Sequence, residues 1–185
     1  MTTAWTTPTI ITQYPKEGYE SVDITWNDTE FQSLTVVGSG SVASNGTLIH
    51  IARAPKYDTM NNTYYLQATG FNFKNLPDQI SGVTFRLTIN RRGRVTDDTV
   101  QMVYQGEMIG ENQAYPAYLQ TSSEDESLLS PISIYGGNSN TWKVENLTLA
   151  MVNDPTFGIV VRFKSHPQWP HNTPVYIQAM EIQIN

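Results

Sequence analysis

Residues 83–90 alternate without a break: Val83, Phe85, Leu87 and Ile89 are apolar, and Thr84, Arg86, Thr88 and Asn90 are polar. Successive side chains of a strand point to opposite faces, so this pattern predicts a strand with one face in a core and the other in water. A helix would split the same four apolar residues between opposite faces, Val83 with Leu87 on one and Phe85 with Ile89 on the other, and would leave no single apolar stripe. Residues 157–164 repeat the logic with Phe157, Ile159, Val161 and Phe163, as do residues 100–105, which run toward a turn at Gly106. No segment sustains a helical period. Short apolar runs are instead broken by turn residues about every eight to fifteen positions, the spacing of a sandwich or barrel.

The remaining runs fit that frame. Residues 34–37 and 48–52 read as strands around a turn at Asn45-Gly46. Residues 64–73 form another apolar run, with a bulge expected at Gly70. In residues 175–184 the apolar positions change parity between Ala179 and Ile182, which places a bulge near Met180. Residues 147–151 suit either a strand or a short helical turn. Residues 121–127 are acidic and Ser-rich, and residues 165–174 hold three prolines; both read as loops. Residues 1–20, rich in Thr, Pro and Tyr, have no clear period and read as an extended N-terminal arm rather than a core element. The expected architecture is all-β: an antiparallel two-sheet β-sandwich, jelly-roll-like, with the arm at 1–20 and a single domain at 21–185.

Composition narrows the function. Charged residues are 15% of the 185 and aromatics 11%, a mix that favours strands and offers few ionic contacts. The formal charge of -6 argues against nucleic acid as a partner, since that grip depends on phosphate neutralisation by Lys and Arg. With no Cys, thiolate metal sites, thiol nucleophiles and disulfide staples are all excluded. No run approaches the length of a membrane helix, and the first residues lack the charged and apolar regions of a signal peptide, so no membrane association and no export are expected.

From Gly70 onward the order of motifs carries a resemblance. It runs through Gly70-Phe-Asn-Phe73, Leu76-Pro77, Ile80-Ser-Gly82-Val83, Asp97-Asp98-Thr99-Val100, Gly106, Ile109-Gly110, Tyr135-Gly136-Gly137, Trp142 and Asn153, ending at Phe157-Gly158-Ile159-Val160-Val161. This series resembles a β-sandwich domain of tailed-bacteriophage virion proteins, over residues 70–185. Lys143 follows Trp142 where such domains often have Gly, and the first 65 or so residues match no family pattern. The resemblance implies a structural role in the virion, as a capsid decoration, accessory or head-fibre protein or as part of the tail, collar or baseplate. Made in the host cytoplasm, it would bind other virion proteins, such as the major capsid protein or tail and collar proteins. Gly82, Asp97, Asp98, Tyr135, Gly136 and Trp142 match as fold-determining residues, and no catalytic residue comes with the family.

Several chemistry-bearing residues also have plainer roles. Asp97 and Asp98, with Glu107, have the oxygen chemistry of a calcium site, but Asp at a strand start more often bonds backbone N–H groups of the preceding turn. Glu124, Asp125 and Glu126 are consecutive and do not converge on an ion without a dedicated loop. His166 and His171 share a loop, yet their spacing across two prolines is poor ligand geometry; His50 is remote. No nucleophile elbow is present. The expectation is therefore a non-enzyme with no catalytic, metal or cofactor site. Contact with partners falls to exposed aromatics and to one basic turn: Trp5, Tyr14 and Tyr19 in the arm, Arg91, Arg92 and Arg94, and Tyr115, Tyr118 and Trp169 in loops. A homo-oligomer is expected, a trimer being one form, with the arm adding to a neighbour's sheet edge. The alternative is a carbohydrate-binding module for host recognition, with Trp169 and nearby tyrosines stacking on a glycan.

Overall fold

The computed structural model describes residues 2–14, 65–91, 95–114, 132–165 and 175–185. Eight strands and one short helix lie among them: β1 (Ile10–Tyr14), β2 (Tyr65–Thr69), β3 (Val83–Arg91), β4 (Val95–Tyr104), β5 (Glu107–Ile109), β6 (Ile132–Gly136), α1 (Leu149–Asn153), β7 (Gly158–Ser165) and β8 (Val175–Ile184). They form two sheets, a five-stranded one in the order β1-β2-β7-β4-β5 and a three-stranded one in the order β6-β3-β8. Every pairing is antiparallel.

A single apolar cluster joins the sheets. Ile11, Leu66, Ala68, Val100, Met102, Ile159, Val161 and Phe163 come from the five-stranded sheet, and Val83, Phe85, Leu87, Tyr135, Ile177, Met180, Ile182 and Ile184 from the other. The chain is thus an all-β sandwich, and burial of each large apolar side chain stabilises it by roughly 1.5–3 kcal/mol. The alternation read in residues 83–88 appears as a buried inner face, with Arg86 and Thr88 only half-buried on the outer side. In β7 it does not: Val160 and Arg162, on the face away from the core cluster, are buried as well. The second face of β7 is therefore not the wet one that alternation alone suggested.

Two bulges set the side-chain parity. In β8 the register slips between Thr88↔Ala179 and Ile89↔Ile177, so Gln178 is the extra residue, two positions before the expected Met180. That one residue lets Ile177 and Met180 face the same core. In β4 the slip lies between Asp97↔Phe163 and Thr99↔Arg162, which makes Asp98 the extra residue. Residues 147–151 resolve to the helical alternative: Thr148 caps α1, its Oγ1 accepting from the Met151 N–H at 3.2 Å, and Val152 is buried. The run from residue 64 ends as a strand at Thr69 rather than bulging at Gly70, after which Phe71 and Phe73 stack in the core with ring centroids 5.8 Å apart. A two-residue turn with positive φ at Gln105 and Gly106 joins β4 to β5.

Residues 2–14 are extended, as read, but they belong to the sandwich. Thr6 pairs with Ile182 through two 2.9 Å backbone bonds, beside the β8 edge, and Thr3 N–H donates to Ile184 O at 2.9 Å. The chain then passes buried Pro8, which has no N–H to leave unpaired, and enters the other sheet as β1 against β2. Ile11 on β1 is fully buried. The lack of a visible period in the sequence follows from this crossing, because one short segment serves two sheets with one core side chain.

The strands expected at 34–37 and 48–52, the Asn45-Gly46 turn and the loops at 121–127 and 166–174 lie outside the described residues, and so does much of what would define a jelly-roll connection. Among the described residues no helix is long and apolar enough to cross a membrane.

Candidate functional site

The motif residues converge on the space between the sheets. Trp142 is fully buried, and its Nε1–H donates to Val83 O at 2.9 Å, at the start of β3. Its own carbonyl accepts from Glu111 N–H at 2.6 Å, just beyond β5. One residue therefore ties the edge of the five-stranded sheet to the centre of the three-stranded one. Asn140 holds the turn before it, its Oδ1 accepting from the Trp142 N–H at 2.7 Å. Gly136 has φ +73°, and a Cβ there would lie 2.2 Å from both Trp142 Nε1 and Val83 O. Gly82 is equally confined, since a Cβ would lie 2.2 Å from Gly137 O. These two glycines let the chain after β6 close onto the start of β3.

Asp97 and Asp98 divide their work across the bulge. Asp97 faces inward, where its Oδ2 accepts from the buried Tyr135 hydroxyl, a bond that spans from β4 to β6 between the sheets. Asp98 faces the other way and pairs with Arg162, whose Nε donates to its Oδ2 at 2.6 Å while Nη2 donates to the same oxygen. Arg162 is only 5% exposed, and its guanidinium lies 4.7 Å from the centre of the Tyr65 ring. Its Nη1 has no hydrogen-bond partner among the described residues. Both carboxylates thus accept from side chains on other strands, across the sandwich for Asp97 and within the five-stranded sheet for Asp98; the turn before β4, to which the strand-start reading assigned them, lies outside the described residues.

The outer face of the three-stranded sheet carries the exposed features. Arg86 on β3 pairs with Glu181 on β8 through Nε–Oε2 at 2.7 Å and Nη2–Oε1 at 2.8 Å, and its guanidinium sits 4.2 Å from the centre of the Trp5 ring. Donation to Glu181 raises the Arg86 pKa further; burial opposes this, and the charge of Glu181 adds a smaller contribution in the same direction as the bond. On the other side of Arg86, in register, is Ile134 of β6, 54% exposed, with Ile132 next to it at 46%. The face therefore presents two isoleucines, a clamped guanidinium and a half-buried indole in one band.

Of the expected contact residues, Trp5 lies on this band. Tyr14 ends β1 opposite Tyr65, and Arg91 ends β3. Tyr19, Arg92, Arg94, Tyr115, Tyr118 and Trp169 lie outside the described residues, as do the three histidines and the acidic run at 124–126. Among the described residues no three His, Asp or Glu side chains converge on one point. Arg162, Glu181 and the isoleucine pair were not singled out in the sequence. A signal for the isoleucines existed: with Tyr135 facing inward, period two places Ile134 and Ile132 outward.

Comparison with protein-family models, with curated proteins and with solved structures returned no match.

Proposed function

We propose that the chain is a non-enzymatic structural component of a tailed-phage virion, a capsid decoration or accessory protein or a part of the tail, collar or baseplate. The observation that carries this reading is the outer band of the three-stranded sheet, where Ile132 and Ile134 stand exposed beside the Arg86–Glu181 pair and Trp5. Arg and Trp are the residue types most enriched at binding hot spots, and here each holds the other in place before any partner arrives. On a chain with 15% charged residues, such a band suits a protein surface better than a polyanion. The motif order in residues 70–185 supports the phage assignment, because its residues build the inter-sheet framework on which the band rests.

The test is binding of the purified chain to particles that lack it, with Ile134→Asp beside the wild type. The side chain of Ile134 supports no core contact, so the variant keeps its fold while placing a charge at the centre of the band. Binding should weaken at least tenfold, about 1.4 kcal/mol. Equal binding by the two proteins would remove the band from the account.

A further inference from the structure

The groove that holds residues 2–14 is built from the edges of two different sheets. Beside β8, Thr3 Oγ1 accepts from Ile184 N–H at 2.9 Å and Gln183 Nε2 donates to Thr3 O at 2.9 Å, in addition to the paired Thr6–Ile182 bonds. Beside β2, the segment pairs in register from Ile10↔Thr69 to Tyr14↔Tyr65. Both pairings join residues remote in sequence. Thr3 and Ile184 stand at opposite ends of the chain, and residues 15–64 intervene between β1 and β2. No tight turn imposes either pairing, so the bonds are the same whichever copy of the chain supplies the segment. A connection of that many residues has a maximal reach on the order of 100 Å, more than the width of a domain of this size.

The receiving body also keeps a core of its own. Among the described residues, Ile11 is the one fully buried large side chain from residues 2–14, and the others, Trp142, Phe85, Phe157 and Phe163 among them, come from elsewhere. We propose that this groove is an exchange site between copies: in the assembled state it takes the residue 2–14 segment of a second copy of the chain. Exchange conserves the bonds that residues 2–14 make to β8 and β2, so for this segment its cost is that of association, which an assembly holding copies side by side lowers. The proposal deepens the reading of the chain as an assembly component by naming the partner surface, the β8 and β2 edges.

The chain has no Cys, so single cysteines report cleanly. Thr12 and Gln67 are partners in the β1–β2 register, and both are half-buried on the outer face. Thr12→Cys and Gln67→Cys chains are unfolded together in denaturant, refolded as an equimolar mixture at high concentration, oxidised and run without reductant. A disulfide-linked mixed dimer, absent from either variant alone, is the expected result. In parallel, light scattering on refolded wild-type chain should show mass rising above the monomer with concentration, and deletion of residues 2–14 should abolish the rise. Wild-type chain that stays monomeric at every concentration overturns the proposal, whatever the cysteine variants do; so does an oligomer that forms equally well without residues 2–14. Neither result bears on particle binding by the Ile134 band, which is read separately.

Discussion

Two glycines with similar backbone conformations offer a direct measure of the inter-sheet framework. Gly106 has φ +84° and Gly136 has φ +73°, so Ala at either position pays the same left-handed penalty, about 1 kcal/mol. They differ in what a Cβ would meet: nothing within 4 Å at Gly106, but Trp142 Nε1 and Val83 O at 2.2 Å at Gly136. Those two atoms are bonded to each other at 2.9 Å in a buried site, so the methyl must part them. Loss of a buried hydrogen bond costs about 1–3 kcal/mol, and overpacking adds roughly as much. Gly136→Ala should therefore cost about 3–7 kcal/mol against about 1 for Gly106→Ala. In urea unfolding followed by tryptophan fluorescence, this is a lower midpoint at similar slope. On heating it is a fall of Tm by roughly 10–20 °C, against about 3 °C for the control. Equal shifts for the two variants would refute the claim that Trp142 and Val83 form a rigid tie between the sheets.

Other expectations follow from the polar groups. Asp98→Ala leaves the Arg162 guanidinium buried without its carboxylate and should cost about 3–5 kcal/mol in denaturant midpoint; adding Arg162→Met should recover most of it, and additive losses would contradict the pairing. Tyr135→Phe removes the hydroxyl that Asp97 accepts from and should cost about 1–3 kcal/mol with the fold retained by circular dichroism. At the end of α1, the Thr156 hydroxyl and backbone N–H, both donating to Asp154, hold that carboxyl below the usual carboxylate range. A depressed folded value stabilises the protein above the unfolded carboxylate range and stops doing so as pH falls through the folded value. Thr156→Ala should accordingly reduce the loss of stability between neutral and acid pH, and a pH profile parallel to the wild type would count against it.

How much of this was legible in the sequence depended on whether one strand or two were needed to see it. Alternation in residues 83–88 was a property of one strand, and the inner face stands where it was read. The parity change in β8 was visible as well, because a bulge shifts the apolar positions of the strand that carries it; its site at Gln178 was not, since that depends on the register against β3. Burial of both faces of β7 was hidden as well: Val160 and Arg162 are buried by what surrounds the strand, which its own alternation does not record. The side-chain partners of Asp97 and Asp98, Tyr135 and Arg162, are 38 and 64 positions away and could not be found from the strand's own residues. The arm is the sharpest case. A segment that changes sheets at Pro8 has no single period to display, and its place could be found only once the β8 and β2 edges existed to receive it.

The most direct test of the central claim is a titration of virions lacking this protein with the purified chain, with bound protein counted after sedimentation. The account predicts saturable binding at a fixed number of copies per particle, many if the chain decorates the head and a few if it belongs to the tail, collar or baseplate. A chain that stays in the supernatant at every ratio, while folded by circular dichroism, would contradict a structural role in the virion.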